Sequence, residues 1–261
     1  MTATAKARRT MFAGVQTTFA SLTLLIGLHV FAARAELLSY LAADHVGAAS
    51  PEEAETKREE RPARLFDMET EPVTEGDLRD KWRRVEVEIA SELEALRQCR
   101  AAGPCAPEAR RLIEISAEGI GRHGRARVGL INRTVDLAIA PVSDERQWDV
   151  PDHWSAPFET LQSKRGDCED YAIVKYAALL ASGMSADDVK IVILKNLLPR
   201  ENHAAVAARV DGEWLILDNL HLTLVRDIDV ARSIPEFVLD EDGTHRFIWT
   251  SRNRRSAANA G

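Results

Sequence analysis

Two apolar runs joined by a short polar pair constrain the fold more than any other feature of the sequence. The runs are HAAVAARV, residues 203–210, and EWLILD, residues 213–218, and the pair between them is Asp211-Gly212. An Asp-Gly pair between strand-like runs is a strong signal for a two-residue hairpin turn. The sequence therefore predicts an antiparallel β-hairpin over residues 203–218.

The register of this hairpin brings a histidine and an aspartate together. If the turn has two residues, Val210 faces Glu213 and His203 faces Leu220. Asp218 then lies two residues back on the face of His203, where diagonal neighbours are about 7–8 Å apart and within reach of long side chains. We therefore expect a hydrogen bond between His203 and Asp218.

The motif GDCEDY, residues 166–171, marks the start of a helix. Asp167 is a favourable N-cap, and an acid three residues later suits the positive end of the helix dipole. Apolar residues then recur at helical spacing until a glycine that ends the helix: Ile173, Tyr176, Ala177, Leu180 and Gly183. Cys168 is therefore predicted to lie on the first turn of a helix.

Cys168, His203 and Asp218 together have the composition of a catalytic triad. A helix N-terminus and a nearby imidazolium both lower the pKa of a thiol, and an acid can orient the imidazole. Taken singly, each residue has an ordinary structural interpretation: a small core side chain, a surface histidine and an acid at the end of a strand. Jointly, they predict Cys168 as nucleophile, His203 as base and Asp218 as orienting acid.

Helical and strand-like patterns occupy separate parts of the chain. The helical segments are about 76–99, 107–119 and 128–139, and the strands outside the hairpin are 190–196, 237–239 and 246–249, the last two flanking a second Asp-Gly pair. Residues 141–167 form a polar, proline-containing stretch that we interpret as an ordered loop. Helices followed by an antiparallel sheet indicate an α+β fold.

The N-terminus has the pattern of an export signal. Basic residues precede an apolar run from Phe19 to Ala33, which ends in an A-x-A motif. This pattern predicts a signal peptide over residues 1–35, with an uncleaved membrane anchor as the alternative, and hence a periplasmic protein. Charged, proline-punctuated composition predicts a disordered acidic tether at 36–75, a single catalytic domain at 76–250 and a disordered tail at 251–261.

Export also bears on the three cysteines. In an oxidising compartment close cysteines tend to pair, and Cys99 and Cys105 are separated by a turn-like segment. We expect a local disulfide between them, which leaves Cys168 as a free thiol.

The net charge of −7 excludes one class of partner. Proteins that hold nucleic acid through phosphate contacts need basic surfaces. We therefore expect no nucleic-acid partner.

Four stretches resemble a known family. DHWSAPFETL, GDCEDYAIVKYAAL, HAAVAARV and WLILDNL, within roughly residues 128–250, are similar to the bacterial transglutaminase-like cysteine proteinases, the LapG-type periplasmic proteases. The resemblance implies a papain-like, transglutaminase-type core with the triad named above. It also implies bound calcium, held by Asp167, Glu169 and Asp170. Relatives cleave large surface adhesins and are controlled by an inner-membrane receptor, so the resemblance implies partners of both kinds.

Calcium would resolve an electrostatic conflict at the thiol. The acids of the motif oppose ionisation of Cys168, whereas a bound cation inverts this effect. Three adjacent acids on an ideal helix cannot all reach one ion, so backbone carbonyls or an upstream acid such as Asp149 or Asp152 are expected to complete the ligand set. The alternative is a solvated acidic helix cap. For the oxyanion hole, the backbone N–H of Cys168 is one donor, and Trp154 or Gln162 is a candidate for another.

These observations predict an exported, calcium-dependent cysteine endopeptidase that acts through an acyl-enzyme on a protein substrate, such as a surface adhesin. Two alternatives remain open at this point. One is an amide-transfer enzyme of the transglutaminase type on the same triad, and the other is an inactive calcium-binding module.

Overall fold

The computed structural model describes residues 64–250. The predicted signal peptide, residues 36–63 of the predicted tether and the predicted tail lie outside the described residues. The helices of the described part are α1 (Asp77–Ala102), α2 (Pro107–Ala117), α3 (Gly124–Ala138), α4 (Asp144–Gln147), α5 (Pro157–Ser163) and α6 (Cys168–Ala181). Within this part, no helix is both long and apolar enough to span a membrane.

The main sheet has seven strands in the order β1-β9-β8-β4-β5-β6-β7, and all its neighbouring strands are antiparallel. Its strands are β1 (Thr70–Pro72), β4 (Val189–Asn196), β5 (Asn202–Val210), β6 (Glu213–Leu217), β7 (Val225–Arg226), β8 (Ser233–Asp240) and β9 (Gly243–Phe247). Two short parallel strands, β2 (Ala140–Pro141) and β3 (Arg165–Gly166), pair separately. Helices packed on an antiparallel sheet confirm the α+β prediction.

The central hairpin has the predicted register. Val210 pairs with Glu213, and the pairing continues in step to Val206 and Leu217. Asp211 and Gly212 both have positive φ, 51° and 83°, as a type I′ turn requires. The turn chemistry therefore fixes which residues of β5 and β6 share a face.

The second Asp-Gly pair does not form the turn itself. Asp240 pairs with Gly243, so the two turn residues are Glu241 and Asp242, and β8 and β9 are longer than predicted. The glycine still supplies a positive φ, 111°, at the first position of β9.

The stretch 141–167 is more regular than the loop we predicted. It contains α4 and α5 as well as β3. Prolines suggested irregular structure, but Pro157 lies in the first turn of α5, where the missing N–H costs nothing and the fixed φ favours the helix. The loop interpretation was wrong for these segments.

The predicted tether ends earlier than residue 75. Residues 70–72 form β1, which pairs with β9 at the sheet edge. Leu65 and Met68 are buried and pack on the sheet face opposite to the helices, together with Trp214 and Phe247. The charged composition of this segment gave no sign that these two apolar side chains are buried. Burying each of them stabilises the fold by about 1.5–3 kcal/mol. The disordered-tether prediction was therefore wrong for residues 64–75.

The helices cover the other face of the sheet and form the main core. Helix α6 lies at the centre of this core, since ten of its fourteen residues are buried. A helix that is enclosed on all sides is largely apolar around its whole circumference. Other fully buried members are Trp82, Leu112, Ile131 and Leu215. Cys99 and Cys105 form the predicted disulfide at the end of α1, with a Cα–Cα distance of 5.3 Å.

Candidate active site

The thiol of Cys168 lies where α6 meets β5. Cys168 is the first residue of α6 and Asp167 is its N-cap, as predicted from the motif. The backbone N–H of Ala204 lies close enough to the sulfur to lower the pKa of the thiol, so Cys168 is beside the residue that follows His203. The S–H of Cys168 in turn donates to Oε2 of Glu169 at 3.0 Å.

His203 and Asp218 form the hydrogen bond expected from the hairpin register. Nε2 of His203 lies 2.8 Å from Oδ1 of Asp218, and their side chains are 6% and 18% exposed. The backbone N–H of Leu220 donates to the same oxygen at 2.9 Å. Because an ionised carboxylate only accepts, Nε2 carries the proton and Nδ1 is the nitrogen left for acid–base chemistry.

The electrostatics at Asp218 favour its ionised form. Burial alone would raise the pKa of this carboxyl, but the hydrogen bond and charge of His203, the N–H of Leu220 and the positive charge of Lys175 together lower it below its ordinary value. An ionised Asp218 can orient and stabilise an imidazolium at His203.

The electrostatics at Cys168 are the reverse. Burial raises the pKa of the thiol most, and the negative charge of Glu169 together with the hydrogen bond to it raises the pKa further. The N–H of Ala204 only partly offsets these effects. With its acids ionised and unneutralised, the site therefore keeps Cys168 as a thiol.

Three carboxylates meet next to this thiol. Asp144, Asp167 and Glu169 each place one oxygen within 4.8 Å of the others. Burial and then the charge of Glu169 raise the pKa of Asp167 to about 9, and burial is also the main cause of the raised pKa of Asp144. Oδ1 of Asp167 is buried and accepts no hydrogen bond from the described residues. Such a cluster is stable only if protons or a cation neutralise it.

The carboxylate cluster differs from the predicted ligand set at one position. Asp170 is fully buried, and its Oδ1 accepts the backbone N–H of Ser155 at 2.9 Å. The side chain of the N-cap, Asp167, makes no capping hydrogen bond to the helix. The structure therefore gives Asp170 a structural contact and does not bring it into the carboxylate cluster. Burial raises its pKa to about 8.

Gly166 leaves room for this arrangement. A Cβ built at Gly166 would lie 2.5 Å from Oδ2 of Asp170 and 2.6 Å from its Cβ. Any side chain here would displace Asp170. Glycine is thus required at the start of the motif because Asp170 lies so close to its Cα, and not because the backbone makes a turn there.

Asp144 takes the place that we expected for Asp149 or Asp152. It is buried at the start of α4 and accepts the backbone N–H of His153, whereas Asp152 pairs with Lys81. No periodic or motif signal marks Asp144, because its position depends on how α4 folds back on the α6 N-terminus. The only sequence signal for it is an acid at the start of a short helix.

The cluster fits a hard cation. Asp144, Asp167 and Glu169 offer carboxylate oxygens, the donors that Ca²⁺ prefers, and Ca²⁺ takes six to eight oxygens, including backbone carbonyls. The raised pKa values show that three negative charges are costly here without a cation. The donor set and its electrostatics therefore both suit calcium.

The two side-chain candidates for the oxyanion hole lie elsewhere. Trp154 packs in the main core, and Gln162 is exposed on α5. The backbone N–H of Cys168 at the start of α6 is the donor that the local geometry favours.

Comparison with known proteins gives one family match. A family model described as "Bacterial transglutaminase-like cysteine proteinase BTLCP" matches residues 99–253. Among curated proteins, none matches this sequence significantly.

Solved structures similar to this chain include LapG of Legionella pneumophila. One such structure is 18% identical, covers 66% of this chain and 94% of its own, and has a TM-score of 0.49. An EGTA-treated form is 19% identical with 62% and 86% coverage and a TM-score of 0.49. A calcium-bound form is 19% identical with 66% and 88% coverage and a TM-score of 0.47.

Proposed function

The chain belongs to the bacterial transglutaminase-like cysteine proteinases and is a cysteine peptidase, and we propose that Cys168, His203 and Asp218 are its catalytic triad. One observation carries the assignment. The backbone N–H of Ala204 acts on the thiol of Cys168 and lowers its pKa, while the adjoining His203 is hydrogen-bonded to Asp218. Nucleophile, base and orienting acid are thus linked through two neighbouring residues of one strand.

The geometry supports hydrolysis through an acyl-enzyme. The thiolate of Cys168 attacks the scissile carbonyl, and the developing oxyanion is stabilised by the N–H at the α6 N-terminus. His203, protonated at Nδ1, donates that proton to the leaving amine as the C–N bond breaks. Nδ1 then removes a proton from water, which attacks the thioester and releases Cys168. Asp218 accepts the Nε2–H throughout and stabilises the imidazolium.

Calcium dependence is the second part of the proposal. Asp144, Asp167 and Glu169 would hold the ion, and Asp170 would brace the loop at Ser155. Bound calcium would supply positive charge that offsets the carboxylates beside Cys168. When these acids are unneutralised, Glu169 instead accepts the S–H of Cys168 and holds it as a thiol. The clustering of three carboxylates, of which that of Asp144 is buried, supports this part of the proposal.

The third part concerns location and substrate. The basic and apolar N-terminus with its A-x-A motif supports export to the periplasm. A peptidase requires a protein substrate, and the resemblance of the GDCEDYAI and HAAVAARV segments to LapG-type proteases supports a surface adhesin as that substrate. The same resemblance supports control by an inner-membrane receptor.

The test is a search for new N-termini. The full chain and its Cys168→Ala variant are incubated with surface proteins of the host bacterium, with calcium or with EGTA, and new N-termini are labelled and identified by mass spectrometry. We expect cleavage that requires both Cys168 and calcium. Equal cleavage by Cys168→Ala would refute the triad, and equal cleavage in EGTA would refute the calcium requirement.

A labelled primary amine added to the same reaction distinguishes hydrolysis from amide transfer. If the amine is incorporated into protein and no new N-termini appear, the enzyme carries out amide transfer on the same triad and not hydrolysis. Calcium binding with neither product would leave an inactive calcium-binding module. A peptide that spans a mapped cleavage site then serves as the kinetic substrate.

A further inference from the structure

Lys175 is a buried lysine that the triad and the carboxylate cluster leave unexplained. It lies on α6 seven residues after Cys168, about two helical turns, so the two side chains share one face of the helix. Its side chain is 1% exposed. Because lysine is almost never fully buried unless its charge is paired, a buried ammonium behind the nucleophile points to a specific role.

The partner of Lys175 is Asp136 on the neighbouring helix α3. Nζ of Lys175 lies 2.7 Å from Oδ1 of Asp136, whose side chain is 7% exposed. A need for stability does not explain such a pair, since apolar residues of similar volume are often as stabilising or more so. The pair is therefore a candidate for a role in activity.

Packing connects this pair to the triad. Helix α6 packs against β5, which carries His203, and α3 packs against α6, β5 and β6. Asp218 directly follows β6. The ammonium of Lys175 acts on both carboxylates, since it lowers the pKa of Asp218 and limits the rise that burial causes in the pKa of Asp136. The three charges therefore influence one another, and one of them, Asp218, is the proposed orienting acid.

We propose that Lys175 is a positioning residue of the triad: its ammonium, fixed by Asp136, keeps the carboxylate of Asp218 ionised and aligned on His203. This inference rests on the proposed function, because it assumes that Asp218 orients the catalytic base. An ionised Asp218 accepts the Nε2–H of His203 and leaves Nδ1 to exchange protons with Cys168. Without the ammonium, Asp218 loses a positive charge that favours its ionised form, so it binds a proton more readily and no longer aligns the imidazole, whether or not Asp136 is charged.

The kinetic test separates charge from folding. Lys175→Met alone leaves Asp136 buried and unpaired, so the decisive protein is the double variant Asp136→Asn/Lys175→Met, which buries no unpaired charge. The matched control is the double variant Asp240→Asn/Lys190→Met, because Lys190 pairs with the buried Asp240 near the end of β4 that is away from the triad. We expect Asp136→Asn/Lys175→Met to fold with a near-native Tm and to lose about 10- to 100-fold in kcat with KM within about twofold. The control should keep its kcat.

The spectroscopic test needs no substrate. In the full chain labelled with ¹⁵N-histidine, the hydrogen-bonded Nε2–H of His203 gives a downfield proton resonance, which His203→Gln identifies by its loss. The groups that face Asp218 are His203 from β5, Lys175 from α6, Asp136 from α3 and the N–H of Leu220. As pH falls, the resonance should disappear at a higher pH in Asp136→Asn/Lys175→Met than in the wild type or in Asp240→Asn/Lys190→Met.

The outcomes separate this inference from the proposed function. An Asp136→Asn/Lys175→Met variant with wild-type kcat, or with a wild-type pH profile of the resonance, would overturn the role of Lys175. If wild-type protein shows no Cys168-dependent cleavage but the resonance still shifts with Lys175, the proposed function fails and the positioning of His203 by Lys175 stands.

Discussion

Two groups of acids accompany the proposed triad, and they differ in the source of their positive charge. In the first, Asp144, Asp167 and Glu169 meet, and the groups that act most strongly on Asp167 after burial are other carboxylates. In the second, Asp136 and Asp218 share the ammonium of Lys175. The pKa of Asp167 is raised to about 9, whereas that of Asp218 is lowered.

The comparison shows that burial does not by itself decide whether an acid is ionised. The second group contains its own cation within the polypeptide, so Asp218 does not need a bound metal to be ionised at neutral pH. The first group has no such internal cation among the groups named above. We therefore expect the orienting half of the proposed triad to be independent of metal and the nucleophile half to depend on it.

The largest expected effect comes from removing the negative charge of Asp218. Asp218→Asn keeps the shape of the side chain but leaves His203 without an anionic acceptor, so its tautomer and imidazolium are no longer favoured. We expect kcat on the mapped peptide to fall by about 10³- to 10⁴-fold. A loss of less than tenfold would contradict the role of Asp218.

The second effect concerns stability at the same group. Lys175→Met alone should destabilise the protein by about 3–5 kcal/mol, because Asp136 is left buried without a partner. Adding Asp136→Asn should restore most of this loss. Urea unfolding of the single and double variants measures both values, and a single variant as stable as the wild type would show that the pair is not buried in solution.

The third effect concerns calcium binding at the carboxylate cluster. Asp144→Asn removes one charged ligand from the carboxylate cluster, and we expect the Kd for calcium to rise by about 10- to 100-fold, a range typical for weakened metal sites. Glu145→Gln is the control, since this neighbouring acid on α4 is exposed. Calorimetry gives both constants. An unchanged Kd in Asp144→Asn would exclude it as a ligand.

The smallest effect is a pH dependence of opposite sign at the two groups. Asp167 has an ordinary value of 3.8 and a folded pKa of about 9, so between these values the folded protein binds more protons than the unfolded one. Stability in EGTA should therefore fall as pH rises from about 5 to 9. Calcium should flatten this slope, because the ionised cluster is then neutralised.

Asp218 behaves in the opposite way. Its folded pKa lies below 3.8, so its contribution is present above that value and is lost as pH falls further. Asp218→Asn should remove this acid-side loss and leave the slope in EGTA unchanged. Thermal melts across pH measure both slopes. If stability in EGTA rises with pH between about 5 and 9, the account of Asp167 is contradicted.

The sequence predicted the parts of the site that depend on local chemistry. The Asp211-Gly212 turn fixed the register that joins His203 to Asp218, and the N-cap at Asp167 fixed the position of Cys168 on the helix. The contact between Asp170 and the backbone of Ser155 has no signal in the sequence.

The remaining parts depend on long-range packing. Asp144 reaches the cluster only because α4 folds against the start of α6, and Lys175 meets Asp136 only because α3 packs on α6. Leu65 and Met68 bury against the sheet from within a charged segment. None of these contacts leaves a periodic pattern in the chain.

The most direct test of the central claim is the reactivity of Cys168 with iodoacetamide in calcium and in EGTA. Cys99 and Cys105 are joined in a disulfide, so the label reports on Cys168, and mass spectrometry of the labelled peptide confirms it. With calcium, we expect alkylation well below the ordinary thiol pKa of about 8.5, and in EGTA only at higher pH. Equal rates at every pH in the two conditions would show that the carboxylate cluster does not control the thiol, and would contradict the account.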